Sequence, residues 1–142
     1  MSAEFSPLIL VALVLVVASA IGLVWRRRNG KVTVVTTSAD VLTPQDLGQP
    51  LGESATLVQF SSAFCQPCRA TRRILEEVAD MVPGVAHVEL DAEANLELVR
   101  SLNVLRTPTV FVVDSEGRIR TRASGQPRKV DVIAALGQVV EP

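Results

Sequence analysis

The chain contains two cysteines, Cys65 and Cys68, with only two residues between them. The run before them, residues 55–60, is rich in strand-forming residues, and residues 70–81 place apolar side chains at helical spacing. The pair is therefore predicted to lie where a strand leads into the N-terminus of a helix. Two thiols at this spacing and position indicate dithiol–disulfide chemistry.

The order of the two cysteines along the helix predicts their roles. A helix N-terminus favours a cysteine thiolate, and Arg69, Arg72 and Arg73 add positive charge nearby. Cys65 is the predicted nucleophile, whose thiolate attacks a client disulfide to give a mixed disulfide. Cys68 lies one helical turn further on and is predicted to resolve that intermediate by closing the intramolecular bond.

Two other uses of the cysteines are weaker hypotheses. A purely structural role, as a permanent disulfide or as inert thiols, is disfavoured because so short a loop stabilises a fold very little. A closed zinc site needs about four ligands. Besides the cysteines, the chain offers only His87 and carboxylates without ligand spacing. No metal is expected.

The N-terminal segment differs in composition from the rest of the chain. Residues 7–25 carry no charge, and Trp25 ends the stretch at a position typical of a membrane interface. As a helix, about 19 residues rising about 1.5 Å each span about 28 Å, close to the hydrocarbon thickness of a bilayer. One transmembrane helix is therefore predicted, with residues 1–30 as anchor and basic flank and residues 31–142 as a separate domain.

The charges that flank the apolar segment predict its orientation. Glu4 precedes it, whereas Arg26, Arg27, Arg28 and Lys31 follow it. Basic residues remain on the cytoplasmic side of most membranes, so a single-pass protein of the cell membrane with a cytoplasmic domain is expected. The basic cluster is also placed to contact anionic headgroups.

A cleaved signal peptide is the main alternative for this segment. The small residues at 18–20 resemble a cleavage site after an apolar core. The missing positive charge before the core and the apolar residues 21–25 after the proposed cut disfavour it. An extracytoplasmic domain stays open as a second topology.

The charge of the remaining chain argues against a nucleic-acid partner. Of the 14 basic and 15 acidic residues in the chain, ten basic and 14 acidic residues follow Lys31. The domain is therefore mildly acidic, and a phosphate backbone would be repelled rather than bound.

Periodicity and turn residues predict a series of alternating elements. Strands are expected at 32–36, 55–60, 85–90, 108–113 and 118–122, and helices after Thr43, over 70–81, over 91–103 and over 128–139. The continuous apolar run 108–113 is typical of a central strand, and the alternating run 118–122 of an antiparallel edge strand. The sum is an α/β domain with the order βαβαββα, a central mixed sheet and helices on both faces.

The chain resembles the thioredoxin family over nearly all of residues 31–142. The matching positions are the strand 57–60, Cys65-Gln66-Pro67-Cys68, Leu90-Asp91, Thr107-Pro108-Thr109, the turn 114–117 and Gly125. The resemblance implies a thioredoxin-like fold and a cis peptide bond at Thr107-Pro108 that faces the redox pair. It also implies that these two residues help to bind an extended client segment, together with Phe64, Gln66 and Pro67. Phe64 is interpreted either as a docking residue or as a small apolar lid over the helix start, and Arg106 either as a docking residue or as a solvated one.

Two departures from the family pattern affect the expected mechanism. Phe64 and Gln66 stand where the family usually has Trp and Gly, and the redox potential is therefore not predicted. The buried acid beneath the second cysteine corresponds to Gln59, and its lysine partner to His87, so a neutral pair replaces an ion pair. Without that carboxylate, the hypothesis is that Cys68 is deprotonated through water or by His87, with Gln59 as a possible participant in proton transfer. The alternative is that His87 is only a hydrogen-bonded or exposed histidine of the strand.

The resulting hypothesis is a membrane-tethered protein-disulfide reductase that cycles between a Cys65/Cys68 dithiol and its disulfide. It implies disulfide-containing protein clients and a separate reductase as electron donor, and no cofactor beyond the redox-active disulfide. Two alternatives are a membrane-anchored interaction module with weak redox activity and an extracytoplasmic thiol–disulfide exchange protein.

Overall fold

The computed structural model describes residues 5–34 and 41–140. The helices are α1 (Phe5–Arg28), α2 (Pro44–Leu47), α3 (Gln66–Met81), α4 (Leu96–Ser101) and α5 (Lys129–Val140). The strands are β1 (Val32–Val34), β2 (Ala55–Ser61), β3 (Val85–Asp91), β4 (Thr109–Asp114) and β5 (Ile119–Ser124). From β2 onward the order is βαβαββα, as predicted, and β1 and α2 precede it.

Helix α1 is apolar on all sides and packs into no core. Its segment Pro7–Arg28 has a mean hydropathy of 2.9 and none of that apolar window is buried. It is long and apolar enough to cross a membrane, and its position near the N-terminus also fits a signal sequence. The predicted apolar helix is confirmed, while the choice between these two roles and the side of the membrane stay predictions.

The five strands form one mixed sheet in the order β1-β5-β4-β2-β3. β2 pairs with β3 in parallel and with β4 in antiparallel orientation, and β5 is antiparallel to both β4 and β1. All six residues of β4 are buried, which confirms the predicted central strand. The prediction of an edge position for β5 is wrong because β1 covers its outer side. Residues 35 and 36 of the predicted first strand lie outside the described residues.

Helices pack on both faces of the sheet, since β2 sends alternate side chains to opposite sides. Val58 and Phe60 pack with Leu47 of α2 and with partly buried residues of α4. Leu57, on the other face, packs with Leu75 of α3 and with residues of α5. The predicted layered arrangement is confirmed.

Two helices show how local hydrogen bonds set their ends. Thr43 caps α2 as predicted, in a reciprocal pair with Asp46. The predicted helix over 91–103 is too long, because α4 starts only at Leu96. Asp91 accepts a hydrogen bond from the Glu93 amide at 2.8 Å, which forms a turn that competes with helix.

Candidate active site

Cys65 and Cys68 lie at the start of α3 and are joined by a disulfide bond. Cys65 is the N-cap residue, and its Sγ accepts a hydrogen bond from the Cys68 amide at 3.2 Å. Cys65 is half-buried, whereas only 2% of Cys68 is exposed. A client disulfide can therefore reach Cys65 far more easily, which supports the predicted division of roles.

The three arginines that follow the motif do not all contribute unpaired charge. Arg72 donates to both carboxylate oxygens of Glu89 on β3, at 2.6 and 2.9 Å. Burial acts to raise the pKa of Glu89, but hydrogen bonds from Arg72 and Ser61 outweigh it, so the pKa is lowered. The carboxylate is therefore ionised at neutral pH and offsets the charge of Arg72.

The loop before β4 is hydrogen-bonded to the loop that leads into the cysteines. The Thr107–Pro108 peptide bond is cis, as the resemblance implied. The hydroxyl oxygens of Thr107 and Ser62 lie 2.7 Å apart, so a hydrogen bond connects this loop to the loop that leads into the cysteines. The Gly125 amide donates to the Pro108 carbonyl at 2.7 Å. These bonds hold together three loops, one of which leads into the redox pair.

The rim of the site carries exposed apolar side chains. Phe64 is 97% exposed and has a φ of 60°, a left-handed conformation that is unfavourable for a bulky residue. The lid interpretation of Phe64 is therefore wrong, because its ring covers nothing. Leu105, which lies two residues before Thr107, is 84% exposed. Gln66 and Pro67 are exposed as well.

Beneath the start of α3, the fully buried Gln59 side chain makes three hydrogen bonds. Its Nε2 donates to the Cys68 carbonyl at 2.8 Å and to Ser61 Oγ at 2.9 Å. Its Oε1 lies 3.2 Å from His87 Nε2. Gln59 and His87 thus form the neutral pair that the sequence predicts, and the pair is connected to Cys68 through the backbone.

This hydrogen bonding determines the tautomer of His87. A carbonyl only accepts hydrogen bonds, so the Gln59 amide must present Nε2 to Cys68 and Oε1 to His87. His87 Nε2 is then the donor, and its basic nitrogen is Nδ1. Burial lowers the pKa of His87, although Glu76 and Glu89 act to raise it, so the ring is neutral at pH 7. Proton transfer by His87 stays a prediction, and Nε2 is not the acceptor.

Within the part of the chain that the structure describes, no three or more His, Cys, Asp or Glu side chains are grouped to hold a metal ion. The sequence did not indicate the Ser62–Thr107 and Arg72–Glu89 hydrogen bonds, which join residues 45 and 17 positions apart. Neither pair has a local spacing signal that could have suggested it.

A family model described as Thioredoxin matches residues 38–138. The thioredoxin of Mycobacterium tuberculosis (strain ATCC 25618 / H37Rv) is 28% identical over 111 residues, which cover 78% of this chain and 88% of that protein. The bifunctional thioredoxin reductase/thioredoxin of Mycobacterium leprae (strain TN) is 29% identical over 118 residues, which cover 80% of this chain and 24% of that protein.

Solved structures show the same fold. Chloroplastic thioredoxin z superposes with a TM-score of 0.55 at 27% identity, covering 61% of this chain and 79% of that one. A mutant thioredoxin from Halobacterium salinarum NRC-1 superposes with a TM-score of 0.57 at 18% identity, covering 63% and 78%. The matched fold and the Cys65–Cys68 disulfide support thiol–disulfide oxidoreductase chemistry. The chain is a member of the thioredoxin family.

Proposed function

We propose that the protein is a membrane-tethered protein-disulfide reductase. The observation that carries the proposal is the difference between the two sulfurs at the start of α3. Cys65 is accessible and caps the helix, whereas Cys68 is 2% exposed and directly behind it. This difference supports a reaction in which Cys65 meets the client and Cys68 reacts only with Cys65.

The reaction proceeds by two thiol–disulfide exchanges. The Cys65 thiolate attacks one sulfur of a client disulfide, forms the mixed disulfide and releases the first client thiolate. The Cys68 thiolate then attacks Cys65 Sγ, closes the intramolecular disulfide and releases the second client thiolate. The two electrons that reduce the client come from the dithiol, and two protons from solvent complete the client thiols.

The disulfide form needs a separate reductase to return it to the dithiol, and no further cofactor takes part. The name of the Mycobacterium leprae relative joins a thioredoxin reductase to a thioredoxin in one protein, which supports a donor of that class. Helix α1 would hold the domain at the membrane, and the arginines at its C-terminal end favour the cytoplasmic side. Protease protection in sealed inside-out vesicles, whose outer face is the cytoplasmic one, tests this topology. Cleavage of the domain is expected, and a protected domain would lie outside the cytoplasm.

Trapping tests the assigned roles. A Cys68→Ser chain should accumulate mixed disulfides on Cys65, because the resolving thiol is gone, and mass spectrometry should identify the clients. Cys65→Ser is the matched control and should trap few clients, since Cys68 is buried. Equal trapping by both variants would contradict the division of roles.

A second candidate is a membrane-anchored interaction module with weak redox activity. The neutral Gln59–His87 pair favours it, because it provides no carboxylate base beneath Cys68. The two candidates differ in the reduction of insulin disulfides by the full chain in detergent micelles. A reductase raises the rate above that of free dithiothreitol, and a binding module does not.

A further inference from the structure

A cavity of about 500 Å³ lies between the C-terminal end of α1 and the domain. Four basic residues and two residues that carry hydroxyl groups line it; the six are Arg28, Lys31, Thr33, Arg106, Arg122 and Ser124. No carboxylate lines this cavity, which we call the cationic cavity. Its cations come from separate parts of the chain, and its composition is the reverse of the mildly acidic domain around it.

The positive charges of the cationic cavity are not used in ion pairs with other described residues. Arg106 donates to the Ser124 carbonyl at 2.8 Å, and Arg122 donates to the carbonyls of Leu102 and Asn103 at 2.8 and 2.5 Å. Carbonyl groups carry no formal charge, so these bonds orient the guanidinium groups without neutralising them. The ion pairs within residues 5–34 and 41–140 involve other cations. An anion in this cavity would meet a concentrated positive field.

A second cavity at the same junction is a poorer anion site. It has a volume of about 790 Å³ and is lined in part by Arg26, Arg27, Arg128 and Asp131, and Lys31 lines both cavities. Asp131 accepts hydrogen bonds from Arg128 at 2.8 and 2.9 Å, so a carboxylate already neutralises one of its cations. The contrast separates the cationic cavity from the general basic character of the segment after α1.

The position of the cationic cavity indicates the source of the anion. Arg28 is the last residue of α1, three residues after Trp25 at the end of the apolar stretch. When α1 spans a bilayer, Arg28 lies at the depth of the lipid headgroups. We propose that the cationic cavity binds the phosphate of an anionic phospholipid headgroup. This proposal rests on the membrane-spanning role of α1 in the proposed function.

Headgroup binding would also position the redox site. Arg106 directly precedes Thr107, and the Gly30 amide donates to the Ser124 carbonyl at 3.0 Å. The next residue, Gly125, donates to the Pro108 carbonyl. The walls of the cationic cavity are therefore continuous with the loops around the disulfide. A bound headgroup holds that edge of the domain against the bilayer, where its clients would be membrane proteins.

The test is lipid retention by the full chain. The protein is purified in micelles that contain equal amounts of phosphatidylglycerol and phosphatidylcholine, and native mass spectrometry measures which lipid stays bound. Phosphatidylglycerol should be retained preferentially. An Arg28→Gln/Arg106→Gln chain lacks two cations that line the cationic cavity and not the second cavity. It should bind phosphatidylglycerol roughly 25-fold more weakly or worse, since each cation near an anionic surface contributes about five-fold.

The matched control is Arg26→Gln/Arg27→Gln, which removes two charges from the same junction outside the cationic cavity. Arg26 and Arg27 attract anionic lipid through the surface field alone, whereas the cations of the cavity also contact the phosphate. The control should therefore bind phosphatidylglycerol at least about five-fold more tightly than the cavity variant. The proposal would be overturned if both variants lost phosphatidylglycerol affinity equally, or if the parent did not prefer phosphatidylglycerol to phosphatidylcholine. Displacement of the lipid by millimolar inorganic phosphate would also overturn it, in favour of a small-anion site.

Separate measurements distinguish failure of this proposal from failure of the proposed function. Alkaline carbonate should leave the full chain in the membrane, and extraction would remove the basis of both the tether and the lipid site. A chain that resists extraction and reduces insulin disulfides but retains lipids without selectivity would contradict the lipid site alone.

Discussion

Replacing Gln59 with glutamate should make the stability of the domain strongly dependent on pH. Gln59 is fully buried, and its Nε2 donates to the Cys68 carbonyl at 2.8 Å. A carboxyl group can replace that donor only in its protonated form, because an ionised oxygen would face the carbonyl oxygen without a proton between them. Burial also disfavours ionisation, so the folded-state pKa of the introduced carboxyl should lie well above its usual value of about 4.3.

The size of the effect follows from proton linkage. In the parent, Gln59 does not titrate and burial keeps His87 neutral, so the folded pair holds no titratable proton at neutral pH. In the folded variant, the carboxyl at position 59 and the His87 ring together hold one titratable proton. The number of bound protons is the same whether the carboxyl or His87 carries it. A group with a raised folded-state pKa stabilises the fold below its unfolded pKa and loses that contribution as pH rises. Relative to the parent, the free energy of unfolding should fall by about 1.4 kcal/mol per pH unit, or about 3–4 kcal/mol between pH 4.5 and 7.

The assay is urea unfolding of the full chain in micelles, followed by pulse proteolysis. This readout is preferable to tryptophan fluorescence, because the single tryptophan, Trp25, lies on α1 outside the core. The disulfide form is used so that neither cysteine titrates. Gln138→Glu, at an exposed position on α5, is the matched control and should differ from the parent by less than about 0.5 kcal/mol at any pH. A Gln59→Glu deficit that stays constant from pH 4.5 to 7 would refute the reasoning, since it would mean that water solvates the buried carboxylate.

Four further predictions address other residues of the same domain. Because burial lowers the pKa of His87 in the folded state, the free energy of unfolding of the parent should fall as pH drops below about 6.5. The loss should be at most about 1.4 kcal/mol for each unit by which the folded-state pKa is lowered. Urea unfolding of His87→Gln over the same pH range should show a weaker dependence of stability on pH. Thr71 is fully buried and its hydroxyl has no hydrogen-bond partner among the described residues, so Thr71→Val should raise the free energy of unfolding by about 1 kcal/mol in urea titrations. Gly125 has a φ of +96° and an added Cβ would lie 2.2 Å from Asn29 Oδ1, so Gly125→Ala should cost about 1–3 kcal/mol, and Asn29→Gly should recover part of the loss. Phe64→Ala should leave stability within about 0.5 kcal/mol of the parent, since the ring is 97% exposed, but should lower kcat/KM for protein clients about five-fold, and an unchanged kcat/KM would contradict a docking role.

The elements that the sequence predicted well are those whose environment leaves a local pattern. β4 is buried on both faces, and every residue from Thr109 to Val113 except the first is apolar. This continuous apolar run predicts a central strand. Helix α3 buries one side, which places Leu75 and Val78 at helical spacing. The cysteines were identifiable because their chemistry depends on a spacing of three positions along one helix.

The features that the sequence did not predict depend on competing or distant contacts. Before α4, the Asp91 carboxylate accepts a hydrogen bond from the Glu93 amide and forms a turn that delays the helix. Helical periodicity in the sequence does not reveal such a bond. The interior position of β5 depends on its pairing with β1, about 90 residues earlier in the chain. The hydrogen bond between Ser62 and Thr107 arises only once two loops meet in the folded domain.

The junction between α1 and the domain has a consequence for the range of clients. Only Asn29 separates the last residue of α1 from Gly30, whose amide continues the hydrogen bonding of the sheet to Ser124. A single residue extends by at most about 3.6 Å, so the junction is too short to act as a flexible linker. If α1 spans a bilayer as proposed, the redox site stays at one fixed distance from the lipid surface while the protein diffuses in the plane of the membrane. Clients would then be selected by how far their disulfides stand from the lipid, and a disulfide at the far end of a tall ectodomain or cytosolic domain would stay out of range.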